Sequence, residues 1–172
     1  MADFEVKIAT DAREIEQAQR LRFNVFNLEL HKGLASSYEH GLDIDEFDPY
    51  CDHLIVRELR SGDIVGTYRL LRGAQSASSH RLYSEKEFDL TRIKTLDGEL
   101  MELGRSCARK DFRDRALIPL MWEAIVEQIR THHVRYLLVA AACTRRISLK
   151  SVRCFRCLKI NIMRPRSIAF YR

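Results

Sequence analysis

The sequence predicts an α/β (α+β) fold, a mixed sheet with helices on both faces. Three observations predict it. Apolar residues alternate in short runs, as in strands, and elsewhere recur at spacings of three and four, as in helices. The two kinds of segment follow one another in the order β-α-β-β-(α)-β-α-β, closing with one βαβ unit. A chain of 172 residues, 46% hydrophobic and 31% charged, can bury one core and is ordinary for a globular domain.

Phe4, Val6 and Ile8 alternate with polar residues, which predicts a first strand. Asp11-x-x-Glu14 has the form of a capping box, and Ile15, Ala18, Leu21, Val25 and Leu28 then mark the core face of a helix. Residues 31–44 are a polar connection containing glycine. His53–Leu59 and Ile64–Leu71 read as a hairpin around Arg60-Ser61-Gly62-Asp63. Residues 73–80 are small and polar, as in a mobile loop. Ser84-x-x-Glu87 suggests the cap of a short helix. Leu100–Ala108 reads as a strand, Ala116–Arg130 as a helix with Pro119 in its first turn, and Val134–Ala142 as a buried strand.

Four segments set charges inside apolar runs. They are Leu21-Arg22-Phe23-Asn24-Val25-Phe26, Asp45-Glu46-Phe47-Asp48, Gly66-Thr67-Tyr68-Arg69-Leu70-Leu71 and Glu102-Leu103-Gly104-Arg105. A lone buried charge is costly, so Arg22, Arg69, Arg105, Asp45, Asp48 and Glu102 are expected to meet in one cluster. Open to a cleft, such a cluster shifts pKa values and suits proton chemistry; closed, it only ties helix to sheet.

The net charge of +5 is unevenly spread. Residues 143–172 hold seven arginines, two lysines and no acid, so residues 1–142 sum to −4. The body is mildly acidic, which speaks against nucleic acid as a partner of the domain. No apolar run has the length of a membrane span, and Met1-Ala2-Asp3-Phe4-Glu5 lacks signal-peptide features. The expected address is the cytoplasm, with reduced cysteines. No metal site is expected. Asp43-x-Asp45-x-x-Asp48 lacks the glycine and glutamate of a calcium loop, and Cys154-Phe155-Arg156-Cys157 has no second pair at zinc-finger spacing.

Phe47-Asp48-x-x-Cys51-Asp52-His53-Leu54, Tyr83-Ser84-x-x-Glu87-Phe88-Asp89-Leu90 and Glu102-Leu103-Gly104-Arg105-Ser106-Cys107 together resemble the acyltransferase branch of the GNAT fold that includes the autoinducer synthases. The resemblance covers roughly residues 4–142 and is nearest to the ornithine-lipid enzymes, the L-ornithine Nα-acyltransferases often labelled hemolysin-like. It implies a GNAT-like, mostly antiparallel sheet. It also implies transfer of a 3-hydroxyacyl chain from acyl carrier protein to the α-amino group of ornithine, giving lyso-ornithine lipid. The donor is then a 4′-phosphopantetheine thioester with no further bound cofactor. The lipid product implies peripheral contact with the inner membrane face.

A carboxylate at a strand end, desolvated and near arginines, can take the proton an amine must lose before attack. Glu102 is the expected base. The resemblance puts Asp45, Asp48, Arg69 and Arg105 around it and makes Arg22, Phe26 and Ser106 substrate-binding. Where acetyl-CoA enzymes of this fold carry a glycine-rich turn, this chain has Arg109-Lys110-Asp111-Phe112-Arg113-Asp114-Arg115-Ala116. Arg109, Lys110, Arg113 and Arg115 are expected to meet the single phosphate of the phosphopantetheine arm and an acidic carrier protein. Autoinducer synthases resemble one another in a tryptophan shortly after the Arg-x-x-x-Phe segment; His31, Lys32 and Gly33 stand there in this chain. A homoserine-lactone-synthase-like or other amino-acid N-acyltransferase is the alternative reading. So is an inactive copy whose tail binds nucleic acid or anionic lipid. Residues 1–142 are read as the acyltransferase domain and 143–172 as a basic tail, the product of a frameshifted or truncated ending. Such an ending would leave the edge of the Val134–Ala142 strand uncovered.

Overall fold

The computed structural model describes residues 3–74, 81–113, 117–139 and the backbone of 140, 141 and 154–159. Six strands form one sheet in the order of the chain: β1 (Phe4–Ile8), β2 (Asp52–Glu58), β3 (Ile64–Arg72), β4 (Glu99–Ala108), β5 (Val134–Ala141) and β6 (Cys154–Lys159). Every neighbouring pair is antiparallel except β4 and β5. That parallel pair needs a crossover, which helix α3 (Leu117–Thr131) provides. Helix α1 (Ala12–Phe23) follows β1, and the one-turn helix α2 (Thr91–Lys94) precedes β4.

Alternation along the strands divides the core into two sides. On one side Leu54, Val56, Leu70, Met101 and Leu103 pack against Leu117, Met121, Ile125 and Ile129 of α3. On the other, Ile55, Ile64 and Cys107 pack against Ala18 and Leu21 of α1 and against Val25 beyond it. Arg69 and Glu102 lie in strands between residues of the α3 side, so both point to the α1 side. The paired helices on opposite faces match the fold expected from the sequence.

Several local readings need correction. The helix expected to run through Leu28 stops being α-helical at Phe23, and Asn24–Glu29 continues as a π-helix. The wider turn changes which residues face the sheet. Val25 and Asn27 are buried, while Leu28, expected in the core, is 52% exposed. The capping box is displaced by one residue. Asp11 accepts the Glu14 N–H at 2.9 Å, but the Glu14 carboxylate takes the Thr10 N–H at 2.9 Å instead of reaching the cap itself. Residues 83–86 form a 3-10 turn that Ser84 does not cap. The outer edge of β5 is covered: β6 pairs with it from Tyr136↔Lys159 to Ala141↔Cys154. Six residues of the basic tail thus join the domain's own sheet. The expected mobile loop lies mostly outside the described residues, and the Cys154 and Cys157 side chains also lie outside them.

The hairpin loop closes where expected. Gly62 sits at φ 77°, a left-handed conformation that a residue with a Cβ adopts only with strain. Glu14 secures the start of α1 to the sheet, with Lys7 of β1 at 2.6 Å and Arg57 of β2 at 2.5 Å. The Lys7 bond, then the Thr10 N–H, hold its carboxyl down at about 2. A depressed carboxyl stabilises the fold above its ordinary titration range, and that stabilisation is lost as pH falls through the folded value. Glu14→Gln should therefore lower the melting temperature near pH 7, and the gap from wild type should close as pH falls toward 2. Parallel melts that keep a constant gap across that range would refute this role.

Candidate active site

Arg22 is 0% exposed, and each part of its guanidinium meets a partner. Nε donates to Asp43 Oδ1 at 2.9 Å. Nη2 donates to the Asp43 carbonyl and to Asp48 Oδ1, both at 2.5 Å. Nη1 lies 3.3 Å from His53 Nδ1, whose other ring nitrogen is 3.2 Å from the Asp48 carbonyl oxygen. With an arginine on Nδ1, the proton belongs on Nε2, which donates to that carbonyl. Burial, then the Arg22 charge, hold the His53 pKa below its ordinary value, so the ring is neutral. Arg22 reaches no solvent, and its guanidinium is engaged by Asp43, Asp48 and His53.

Arg69 continues the network from β3. Its Nη1 donates to Asp45 Oδ1 at 2.6 Å and to Asp48 Oδ2 at 3.1 Å. Its guanidinium carbon lies 6.0 Å from the Phe47 ring centroid and 5.8 Å from that of Tyr83. Burial pushes the Asp45 carboxyl up, but Arg69, the Phe47 N–H and the charge of Arg105 outweigh it, so the group titrates below its ordinary value.

Arg105 joins from β4. Its Nη2 donates to Asp43 Oδ2 at 2.6 Å, and its guanidinium lies over the Phe26 ring at 5.2 Å. Its backbone is at φ 51°, uncommon for a residue with a side chain. The reason is a β-bulge. Arg69 pairs with Gly104 and Thr67 with Cys107, so β4 carries one extra residue across this stretch. At the same place β4 and β5 part: their pairing ends at Leu103↔Val139, although β4 runs on to Ala108.

Glu102 sits just before that parting, 4% exposed. It faces Leu71 in the pairing and is the diagonal neighbour of Arg69 on one face, a spacing of roughly 7–8 Å between such positions. No ion pair joins it to Arg69 or Arg105 among the described residues. Its oxygens are held by dipoles. Tyr83 N–H donates to Oε2 at 2.7 Å, Ser84 N–H donates to Oε1 at 2.9 Å, and the Ser84 hydroxyl also donates to Oε1. Burial raises its pKa, and the Ser84 and Tyr83 bonds and the more distant Arg69 charge only partly offset it. The carboxyl is thus a better proton acceptor than an ordinary surface glutamate.

The expected convergence of Asp45, Asp48, Arg69, Glu102 and Arg105 is therefore present, but Glu102 joins it through space and not by a salt bridge. Three residues that matter here were not assigned from the sequence. Asp43, 0% exposed, binds two arginines, yet its spacing from Asp45 and Asp48 suggested only calcium. Those three carboxylates each meet an arginine instead. His53 lay inside a resemblance motif without a role of its own. Ser84 was read as a helix cap. A charge count signals the first: the three arginines of the cluster need three carboxylates besides Glu102.

Ser106 is exposed, and its side chain bonds to that of Tyr68. The basic stretch after β4 is largely engaged within the chain. Arg109 pairs with Asp63 at 3.0 Å and Asp111 at 2.9 Å, and Arg113 grips both oxygens of Glu29 at 2.5 and 2.7 Å. Lys110 is exposed and enters no ion pair among the described residues. Arg115 lies outside them. Cys51 and Cys107 are pushed up to about 12 by burial, so neither supplies a thiolate nucleophile at neutral pH. A cavity of about 410 Å³ opens nearby, lined by Leu82, Ile93, Leu96, Leu100 and Tyr136, with Arg81, Glu85, Lys94 and Glu99 also in its wall.

The pattern of the Acetyltransferase (GNAT) domain matches residues 21–123, which span Arg22 and Glu102. The chain belongs to the GNAT acetyltransferase family. This GNAT domain is 37% identical over 145 residues to the L-ornithine N(alpha)-acyltransferase of Rhodobacter capsulatus, covering 81% of this chain and 56% of that protein. It is 35% identical over 143 residues to the enzyme of the same name from Brucella abortus, covering 78% and 50%. The chain thus spans about half the length of the curated relatives it matches. Its fold is similar to that of the AHL synthase LasI, with a TM-score of 0.61 at 16% identity over 83% of this chain and 74% of that one. It is also similar to FeeM, an N-acyl amino acid synthase from uncultured soil microbes, with a TM-score of 0.58 at 14% identity over 82% and 72%.

Asp43 is the carboxylate whose loss the GNAT domain should tolerate least. Asp43→Asn leaves Arg22 buried with one full charge partner fewer, at a cost of about 3–5 kcal/mol. At about 2–4 °C per kcal/mol for a domain of this size, the melting temperature should fall by roughly 10 °C. A melt within about 2 °C of wild type would show that Asp43 does not hold the cluster.

Proposed function

We propose that this chain carries the catalytic site of an ornithine Nα-acyltransferase, which moves a 3-hydroxyacyl chain from acyl carrier protein to the α-amino group of ornithine and yields lyso-ornithine lipid. The observation that carries this reading is Glu102. It is a buried carboxyl with a raised pKa, beside a balanced set of three arginines and three aspartates, at the point where β4 and β5 separate. The identity with two enzymes named L-ornithine N(alpha)-acyltransferase supports the acceptor.

Glu102 takes one proton from the ornithine ammonium. The free amine attacks the thioester carbonyl, the C–S bond breaks, and the second nitrogen proton passes to the leaving thiolate. Backbone N–H groups of β4 beyond Leu103, unpaired toward β5, are suited to hold the pantetheine arm as an added strand would be held. The apolar wall of Leu82, Ile93, Leu96, Leu100 and Tyr136 suits an alkyl chain. The wall begins one residue from Tyr83, which touches Glu102. Asp45, Asp48, Arg69 and Arg105 hold this centre's electrostatics, with Phe26 under Arg105. No helix among the described residues is long and apolar enough to cross a membrane. A lipid product brings the enzyme to the membrane surface, on the cytoplasmic side.

One observation disfavours the homoserine-lactone alternative. A Cβ on Gly33 would fall 1.8 Å from Asn27 Oδ1, so a tryptophan there would displace the Asn27 side chain from its bond to the Leu34 carbonyl. The proposal is tested by incubating the chain with ornithine and 3-hydroxyacyl carrier protein, with the coenzyme A thioester in parallel, and weighing the products by mass spectrometry. Acylated ornithine supports the reading; no product with either donor overturns it. Glu102→Gln should lower the single-turnover rate about 10²–10⁴-fold, and a near-normal rate would remove Glu102 as base.

Docking of the carrier is better probed at Lys110 than at its neighbours, because reversing Arg113 would set two acids face to face at Glu29. Lys110→Glu should raise KM for the carrier substrate several-fold at low salt with kcat unchanged. An unchanged KM at low salt would place the carrier elsewhere.

A further inference from the structure

We propose that Ser84 is the positioning residue for Glu102, and that its grip on Oε1 leaves Oε2 as the oxygen that receives the ornithine proton. This rests on the acyltransferase reading. Oε1 accepts two hydrogen bonds, from the Ser84 N–H and the Ser84 hydroxyl, which occupy both its lone pairs. Oε2 accepts one, from the Tyr83 N–H, and keeps a lone pair for an amine. Ser84 is 1% exposed, so it touches no substrate and acts through the carboxylate alone. The three donors come from the entry to one 3-10 turn, Tyr83–Lys86, which Glu102 caps from across the sheet. The same contact that orients the base therefore anchors that turn beside the cavity bordered by Leu82.

Other groups around Glu102 do not duplicate this grip. Arg69 on β3 favours the ionised form from a distance but is bonded to Asp45 and Asp48. Cys51, before β2, stays a neutral thiol. Tyr83 lends its backbone, and its ring packs edge-on to Phe47 at 5.5 Å. The Ser84 bonds favour the charged carboxylate, so losing the hydroxyl must raise the Glu102 pKa.

The test is Ser84→Ala, with Ser84→Thr as the variant that restores a hydroxyl. The acid limb of the kcat/KM profile for ornithine acylation should move up by about one pH unit in Ser84→Ala, the shift expected from one lost charge-assisted hydrogen bond. Below that limb the rate should fall about tenfold, and Ser84→Thr should restore both. Carbon-13 NMR of glutamate-labelled chain, with Glu102→Gln supplying the assignment, reads the same titration without any catalysis. If wild type acylates nothing but the carboxyl titration moves in Ser84→Ala, the acyltransferase reading fails and the grip on Glu102 stands. If the carboxyl titration and the limb both stay put in Ser84→Ala, the proposal is overturned, even where melting temperature falls, because that result leaves only a structural contact. Melts of each variant show whether the titrations were read on folded chain.

Discussion

The site depends on one buried cation. Arg22 has no contact with water, so its charge must be met in full by the protein. The partners come from separate places: Asp43 and Asp48 from the connection after α1, and His53 from β2. Meeting them fixes a stretch of chain that has little regular structure of its own. The stretch from Asp43 to Tyr50 holds one short 3-10 turn, and its path is set by side chains pointing inward at arginine. Once that connection is fixed, Asp45 and Asp48 stand where Arg69 can reach both, and Asp43 stands where Arg105 can reach it. An isolated pair buried at this depth would be a poor source of stability; here Arg22, Arg69, Asp43 and Asp48 each have at least two polar contacts, the condition under which burial is tolerable.

Within this network the charges balance without Glu102. Three arginines face three aspartates, and His53 is neutral. Glu102 is left to peptide and hydroxyl dipoles. That difference underlies the proposed division between scaffold and chemistry. Asp45, with a cation in contact, is held ionised and is a weak base. Glu102, with the cation at a distance and desolvation dominant, is more basic. Two kinds of carboxyl environment in one cluster support the proposed roles, since groups whose surroundings push their pKa values apart can divide acid–base work between them.

Strands β1 to β5, both long helices and the hairpin were legible because each is written in local periodicity and turn chemistry. The convergence of Arg22, Asp45, Asp48, Arg69, Glu102 and Arg105 was legible from the cost of burying charge. Departures from periodicity were not. The π-helix at Asn24–Glu29 keeps an apolar spacing that a straight helix would also show, so Leu28 reads as core although it faces solvent. Ser84 fits a capping pattern equally well whether its hydroxyl turns to its own turn or to a strand, and the nearest carboxylate decides. Asp43 lacked an obvious partner because two arginines, far apart in the chain, share it. The β6 pairing was hidden by the abrupt basic composition after residue 142, which says nothing about backbone hydrogen bonds.

The two irregular pieces of backbone meet. The π-helix carries Phe26, and the bulge at left-handed Arg105 lays its guanidinium on that ring. Both distortions leave the regular ladder at the level where β4 and β5 stop pairing. A regular α1 would present a different residue at Phe26, and a regular β4 would turn Arg105 to the opposite face, because one residue of slip inverts every side chain beyond it. The extra residue thus brings Arg105, at an odd distance from Glu102, back to the face that Glu102 and Asp43 share. Strain at Arg105 is the cost of holding a cation on Asp43 beside the carboxylate proposed as base, where its charge helps keep Asp45 ionised while Glu102 has no ion pair among the described residues.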